Sequence, residues 1–289
     1  MSGLVDLDSI YFAVESWTSR FNKWIREQSR TDPFAEANSA AVDVIARRRD
    51  LGLRMAINVP AHGLLLFLRD ARYKNAYERV SDAGDTAGPS ATRRKVDGAL
   101  FPAPLEPREH YFGAAMLGGT GVRYYGDYCI VLKEDPAIIP DETQVLDRNS
   151  YDMVFAPLDG CEPLFAIVER LRGKWSTDLL AIAKMKILPA LGISPRLATA
   201  GVASETLLHD ESFIEVHKHG SFTPSDVHEV REGAADAAVE ADIMGRRQRG
   251  QPPSVEEMIW VHRRHRADRA LASLGVRARI VVTAGRTPR

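Results

Sequence analysis

The order of helical and strand-like segments constrains the fold of this chain more than any other feature. Apolar residues recur at helical spacing in residues 5–30, and a second helical pattern over 34–49 ends in an arginine run. A strand is predicted over 53–60, and Pro60 ends it and begins the helix that follows. Helices and separated strands continue without the regular alternation of a Rossmann domain. This order predicts an α+β fold.

Further elements follow along the chain. We predict strands over 121–133, 142–153, 210–222 and 277–285, and helices over 163–191 (interrupted at Gly173), from Ser225 onward, and over 256–275 with Gly275 as the terminating residue. Residues 81–108 are rich in Gly, Pro, Ser, Asp and Thr, and we interpret them as a long loop. Loops of this length inside a compact domain are usually functional or disordered.

Composition and charge exclude several classes of protein. The net charge of −1 gives no global basic field, so nucleic acid is not implied as a partner. Only Cys129 and Cys161 occur, which argues against a disulfide framework and fits a reducing compartment. No apolar run is long enough for a membrane span, and the first residues lack the features of a signal peptide. We therefore expect a cytoplasmic protein, or one exported without a cleaved signal peptide, with no membrane as partner.

The segment DESFIEVHKHGSF (210–222) carries three side chains able to titrate or bind a ligand. In a strand, Glu215, His217 and His219 project to one face, with about 7 Å between neighbours, while Ile214 and Val216 project to the other. Such a face is either exposed polar decoration or the wall of a site. As a site, Glu215 could stabilise positive charge developing on a sugar while the histidines position or shuttle protons. Alternatively, the two histidines could bind a metal, with Glu215 or a distant aspartate as third ligand.

Two other segments carry arginines suited to anionic ligands. Arg69 and Arg72 lie in FLRDARYKNAYE (67–78), and guanidinium groups bind phosphate or carboxylate in bidentate fashion. Arg148 and Ser150 lie on one face of LDRNSYD (146–152), where a hydroxyl beside a guanidinium can orient a sugar or phosphate. The alternatives are a surface salt-bridge network for the first segment and ordinary strand decoration for the second.

A glycine interrupts the strand predicted over 121–133. Tyr125 and Gly126 lie near its centre, and glycine inside a strand often marks a bulge or a close approach by a ligand or by other backbone. The common nucleotide, serine-hydrolase and zinc-protease motifs are missing from the sequence.

Four segments in this order resemble a poorly characterised bacterial family related to ADP-ribosyltransferase-type toxins and effectors. They are RDARYKNAYE, RYYGDYCIVLK, VLDRNSYD and FIEVHKHG, and the resemblance covers roughly residues 52–230. The sequence departs from the family pattern at Ala71, where the family has glycine, and in YERVSDAG (77–84), which keeps Glu78 and Ser81 but loses a glycine.

The resemblance implies a split β-sandwich of the ADP-ribosyltransferase type over residues 51–289, preceded by an N-terminal helical region over 1–50. It also implies NAD as substrate, bound in a cleft between two sheets, with no metal required. Glu215 would bind the nicotinamide ribose and stabilise an oxocarbenium-like transition state, supported by Ser150 and His217 as further catalytic residues. The residues expected to bind NAD are Arg72, Arg69, Tyr125, Gly126, Arg148 and His219.

Three hypotheses of function remain open at this point. The first is an ADP-ribosyltransferase or NAD glycohydrolase, with a protein or nucleic acid as unknown acceptor in the transfer reaction. The second is a non-catalytic relative of that fold that binds a nucleotide or a protein. The third is a metal-dependent hydrolase or nuclease centred on His217 and His219.

Overall fold

The protein is a mixture of helices and strands built around one sheet. The computed structural model describes residues 15–50, 52–83, 89–101, 106–151, 164–208 and 213–282. Within these ranges the predicted α+β class is confirmed. The strands there hydrogen-bond into a single open sheet, and the finer assignment to a split β-sandwich stays a prediction.

The sheet has eight strands. They are β1 Leu53–Val59, β2 His110–Leu117, β3 Tyr128–Leu132, β4 Gln144–Leu146, β5 Arg172–Lys174, β6 Glu215–His219, β7 Val227–Gly233 and β8 Arg279–Val281. Their order across the sheet is β5-β4-β6-β2-β1-β3-β7-β8. Neighbours are antiparallel except β7 and β8, which are parallel. Strand β6, with the predicted catalytic residues Glu215 and His217, therefore lies inside the sheet between β4 and β2.

Ten helices accompany the sheet in the described ranges. They are α1 Trp17–Gln28, α2 Ala35–Ala46, α3 Ala61–Asp70, α4 Ala76–Ala83, α5 Ala91–Leu100, α6 Leu164–Leu171, α7 Leu179–Leu191, α8 Ala200–Leu207, α9 Ala234–Gln248 and α10 Val255–Ser273. No helix of these ranges is both long enough and apolar enough to cross a membrane.

Side chains on the two faces of the sheet enter different apolar clusters. Met55 and Ile57 of β1 belong to the larger cluster, which includes the buried faces of most helices, whereas Ala56 belongs to a smaller one. The same alternation holds next to β6, because Ile214 and Val216 lie in the larger cluster. Both are fully buried, which confirms that they pack in the core. The side chains of Glu215 and His217 consequently point to the face of the smaller cluster.

The prediction of a loop over 81–108 is wrong for the central part of this segment. Residues 91–100 form helix α5, and Ser90 caps it by accepting a hydrogen bond from the backbone N–H of Arg93 at 3.0 Å. Val96 and Leu100 are buried on its inner side, four residues apart. The Gly, Pro and Ser residues that suggested a loop lie mostly outside the helix, and residues 84–88 and 102–105 lie outside the described ranges.

Two other predicted elements have different bounds or types. The strand expected over 121–133 begins only at Tyr128, because residues 123–125 form a turn of 3₁₀ helix. The helix expected from Ser225 begins at Ala234, and residues 227–233 are strand β7. This strand buries Arg231 and Glu232 in polar contacts, so its charged residues do not alternate as on an exposed strand. Strands β2 and β5 and helices α4 and α8 were not predicted.

The strand predicted over 142–153 is limited to β4, so Arg148 and Ser150 lie in the loop after it and not on a strand face. The other predicted elements are confirmed in outline, including β1, α3, α10 and the break at Gly173. The first helix begins at Trp17, and its predicted residues 5–14 lie outside the described ranges. Trp17 packs in the larger cluster, and its indole N–H donates to the backbone of Arg172 at 3.2 Å. The domain boundary at residue 50 stays a prediction.

Candidate functional site

A cavity of about 680 Å³ opens beside the centre of the sheet. Its floor comes from β1, β2 and β6, and its walls come from α3, the segment between α3 and α4, and α5. The charged side chains that line it are Arg69, Arg72, Lys74, Arg79, Arg93, Asp70 and Glu215. The aromatic side chains that line it are Phe67, Tyr73, Phe112, Tyr125 and Phe213. Five cations thus face two carboxylates in a space of the size that holds a small ligand.

Glu215 is the buried carboxylate of this cavity. It lies at the first position of β6, opposite Ala114 of β2 and Leu146 of β4. Its Oε2 accepts a hydrogen bond from the backbone N–H of Ser150 at 2.5 Å. Its Oε1 lies 3.5 Å from Nε2 of His217 and 3.8 Å from Nη2 of Arg93. The carboxylate therefore meets a backbone donor, an imidazole and a guanidinium while its residue is almost fully buried.

These neighbours determine the charge of Glu215. Burial alone would raise the pKa of its carboxyl group, because a charged group loses its hydration in the interior. The nearby imidazole of His217, the charge of Arg93 and the hydrogen bond from the backbone of Ser150 outweigh burial and lower the pKa to about 2. Glu215 is therefore an anion at neutral pH.

His217 lies behind Glu215 in an aromatic enclosure. Its ring centroid is 5.1 Å from that of Phe112 and 5.5 Å from that of Phe101, both in edge-to-face geometry. Its side chain has no exposed surface. Neither ring nitrogen has a hydrogen-bond partner of good geometry within the described residues. His217 does not line the cavity itself and contacts Glu215, which does.

Ser150 contacts Glu215 as predicted, but through its backbone. Its side chain is fully buried, and its Oγ accepts a contact of 3.5 Å from Nη1 of Arg93. The hydroxyl of Ser150 therefore contacts Arg93, and its main-chain N–H contacts Glu215. These two charged residues also lie next to each other. This arrangement brings the loop after β4 to the start of β6.

Three predicted NAD-binding residues line the cavity. Arg72 forms an ion pair with Glu78, and Arg69 forms one with Asp70 at 2.7 Å. The ring of Tyr125 is half-exposed and lies 6.2 Å from the ring of Phe213. The two arginines are the more exposed partners of their pairs, so they form the mouth of the cavity and not its floor.

The other three predicted NAD-binding residues lie away from the cavity wall. Arg148 forms a two-pronged ion pair with the adjacent Asp147, at 2.8 and 3.0 Å. His219 is exposed at the end of β6 and lies 3.3 Å from a carboxylate oxygen of Glu109. Gly126 contacts backbone and not the cavity. The geometry gives no argument for these three as ligand-binding residues.

Gly126 allows two parts of the backbone to meet. A Cβ atom at this position would collide with the carbonyl carbon of Val59 and the nitrogen of Pro60. Its carbonyl oxygen also accepts a hydrogen bond from the Asn58 side chain at 3.1 Å. Of the two reasons for glycine that the sequence left open, the approach of other backbone is the one realised.

We expect Gly126→Ala to lower the free energy of unfolding by about 1–3 kcal/mol, the usual cost of overpacking. The matched control is Gly98→Ala in α5, where an added Cβ has nothing within 4 Å. Because alanine favours the helix, this control should be neutral or stabilising by up to about 1 kcal/mol. Urea denaturation of both variants measures the difference, and equal stability would contradict the backbone contact.

Arg93 is the main site residue that the sequence did not reveal. It was assigned to a loop, whereas α5 carries it to the cavity wall beside Glu215. The signal that could have found it is local: Ser90 is a good N-cap, and Val96 and Leu100 have helical spacing. The contact with Glu215 has no local signal.

The chain matches no protein-family model, no curated protein and no solved structure. In the described ranges, no three His, Cys, Asp or Glu side chains come together in a way that could hold a metal ion. His217 and His219 share a strand face, but the first is buried and the second is exposed.

Proposed function

We propose that this protein cleaves the bond between nicotinamide and ribose in NAD, as an ADP-ribosyltransferase or an NAD glycohydrolase. The observation that carries the proposal is Glu215, a buried carboxylate with a pKa lowered to about 2 at the wall of a cavity of about 680 Å³. The likeness of RDARYKNAYE, RYYGDYCIVLK, VLDRNSYD and FIEVHKHG to the ADP-ribosyltransferase-type family agrees with this role.

The chemistry follows from the charge of Glu215. As nicotinamide leaves, positive charge develops on the ribose carbon and its ring oxygen. An anion fixed in a site with little water stabilises that charge strongly and needs no reorganisation during the reaction. The backbone N–H of Ser150 and the ring of His217 hold the carboxylate in place.

The cations of the cavity suit the rest of the dinucleotide. Arg69, Arg72 and Arg79 lie on α3, α4 and the segment between them. Nε of Arg79 donates to the carbonyl of Lys74 at 2.9 Å, and its guanidinium carbon lies 5.3 Å from the centre of the Tyr73 ring. A diphosphate carries two negative charges, and guanidinium groups are the usual partners of such groups.

The backbone at Ala71 also supports the resemblance. Ala71 ends α3 with a φ of 51° and is the non-glycine residue with positive φ in the described ranges. Glycine adopts this left-handed conformation at the lowest cost. The family that the sequence resembles has glycine at this place, directly before the segment that contains Arg72.

The direct test is the release of nicotinamide from NAD by the purified protein, with and without cell lysate as a source of acceptors. Release without lysate indicates hydrolysis, and release that requires lysate indicates transfer to an acceptor. If nicotinamide is released under neither condition, the proposal of an enzyme is wrong.

One observation favours the alternative of a nucleotide-binding protein without catalysis. Both oxygens of Glu215 already have protein neighbours, namely Ser150 on one side and His217 with Arg93 on the other. A ligand that prefers the folded state raises the melting temperature by mass action. If NAD or ADP-ribose raises the melting temperature and no nicotinamide is released, the binding protein is the correct alternative.

The ionised state of Glu215 has a consequence for stability in acid. A carboxyl with a lowered pKa stabilises the folded protein above its unfolded pKa of 4.5 and loses this contribution as pH falls towards 2. Between pH 7 and pH 3, we expect the unfolding free energy of the wild type to fall by about 2 kcal/mol more than that of Glu215→Gln. Denaturant titrations at the two pH values test this, and parallel losses would show that Glu215 has an ordinary pKa.

A further inference from the structure

Helix α5 places one arginine against the sheet and the next one in solvent. Arg93 lines the cavity, whereas its neighbour Arg94 is exposed on the outer side of the same helix. The helix is anchored at its start by the Ser90 cap and on its inner side by Val96. The position of Arg93 is therefore set by the helix as a whole.

Two contacts fix the guanidinium of Arg93. Its Nε lies 2.8 Å from Oδ1 of Asp97, one turn further along α5. Asp97 has no exposed surface, and its Oδ2 accepts a hydrogen bond from the hydroxyl of Tyr77 at 2.5 Å. The guanidinium carbon lies 3.9 Å from the centre of the Phe112 ring, a close cation–π contact. A buried carboxylate and an aromatic face thus leave the group little freedom to rotate.

The opposite edge of this guanidinium faces Glu215 and Ser150. Nη1 lies 3.5 Å from Oγ of Ser150, and Nη2 lies 3.8 Å from Oε1 of Glu215. Nη2 makes no hydrogen bond of good geometry with the described residues. Its attraction to Glu215 is thus a charge interaction at 3.8 Å and not a hydrogen bond. The Nε2 atom of His217 lies 3.5 Å from the same oxygen.

We propose that Arg93 is a positioning residue of Glu215: its fixed guanidinium holds the carboxylate in place and in its charged form by a charge interaction at 3.8 Å. The consequence for catalysis rests on the proposed function, whereas the effect on Glu215 itself does not. His217 is the other titratable group beside this carboxylate in the described residues, and Asp97 is the carboxylate that balances Arg93.

The test compares Arg93→Gln and Arg93→Lys with the matched control Arg94→Gln. The titration of the Glu215 carboxyl is followed by ¹³C NMR on glutamate-labelled protein, and Glu215→Gln identifies the signal. In Arg93→Gln we expect the proton affinity of Glu215 to rise at least about tenfold, with a smaller rise in Arg93→Lys and none in Arg94→Gln. A folded Arg93→Gln protein whose Glu215 titrates as in the wild type would overturn the proposal.

A second measurement covers the case in which Arg93→Gln does not fold. In that case, the guanidinium ¹⁵N signals of Arg93 and Arg94 are compared between the wild type and Glu215→Gln. The Arg93 signals should move and those of Arg94 should not, and unmoved Arg93 signals would overturn the proposal.

The kinetic readout separates this proposal from the proposed function. If the wild type releases nicotinamide, Arg93→Gln should lower kcat by about 10- to 100-fold, the cost of misplacing a reacting group, with little change in KM. Its activity should also decline at a higher pH on acidification than that of the wild type. If the wild type releases none but Glu215 titrates as expected, the proposed function fails and the positioning role of Arg93 stands.

Discussion

Glu215→Gln is expected to lower the rate of nicotinamide release from NAD by about 100- to 1,000-fold, the range seen when one preorganised electrostatic group is removed from an active site. Glutamine has the shape of glutamate and can still contact the backbone N–H of Ser150 through its amide oxygen. It has no charge, however, and cannot stabilise the positive charge that develops on the ribose. The loss should lie in kcat, because the interaction grows in the transition state.

A matched control separates this effect from a general loss of negative charge. Glu142 is an exposed glutamate paired with Lys174 at 2.8 Å, and neither residue lines the cavity. Glu142→Gln should keep the wild-type rate. Circular dichroism and the binding of ADP-ribose check that Glu215→Gln is folded. A folded Glu215→Gln protein with the wild-type rate would exclude the mechanism, although other residues of the cavity could still bind the nucleotide.

Arg264→Met is expected to lower the free energy of unfolding by about 3–5 kcal/mol, the cost of leaving a buried charge without its partner. Arg264 is almost fully buried on α10, where its Nη2 contacts Glu232 of β7 and its Nε contacts Glu240 of α9 at 2.7 Å. Its guanidinium carbon lies 4.8 Å from the centre of the Trp260 ring. Methionine fills part of the space but leaves Glu232 without its arginine partner, while Glu240 keeps only its contact with His265 at 2.8 Å.

The control and the double variant identify the cause of this loss. Arg266→Met removes an exposed arginine from the same helix and should change stability by less than about 0.5 kcal/mol. Adding Glu232→Gln to Arg264→Met removes one of the unpaired carboxylates, so the double variant should be more stable than the sum of the two single losses predicts. Strict additivity would show that Arg264 stabilises through packing and not through charge.

The sequence was informative about the chemistry of individual segments. It predicted Glu215, Arg69, Arg72 and Tyr125 as residues of one site, and all four line one cavity. It also paired Glu215 with Ser150, whose backbone N–H contacts it across 65 positions of the chain. Residue type and the alternation of side chains along a strand were sufficient to predict that Glu215 and His217 lie on the face opposite Ile214 and Val216.

Other assignments failed because neighbours in sequence do not have the same neighbours in space. Gly126 follows Tyr125 directly, yet it lies against the backbone at Val59, while the ring of Tyr125 lines the cavity. His219 shares a strand face with His217, but β6 ends there and leaves the side chain in solvent. The alternation of side chains along a strand predicts which face each side chain occupies. It does not predict whether the ends of the strand are buried or exposed.

Apolar periodicity and the order of the segments were enough to establish the α+β class and most of the helices and strands, since these depend on neighbours within a few residues. The single sheet order, the burial of charged residues on β7 and the meeting of Arg93 with Glu215 depended on the tertiary structure. A charged side chain is buried only where a partner compensates the loss of its hydration, and here that partner comes from another element. Helix α5 supplies that partner for Glu215, and no local pattern in either segment specifies the other.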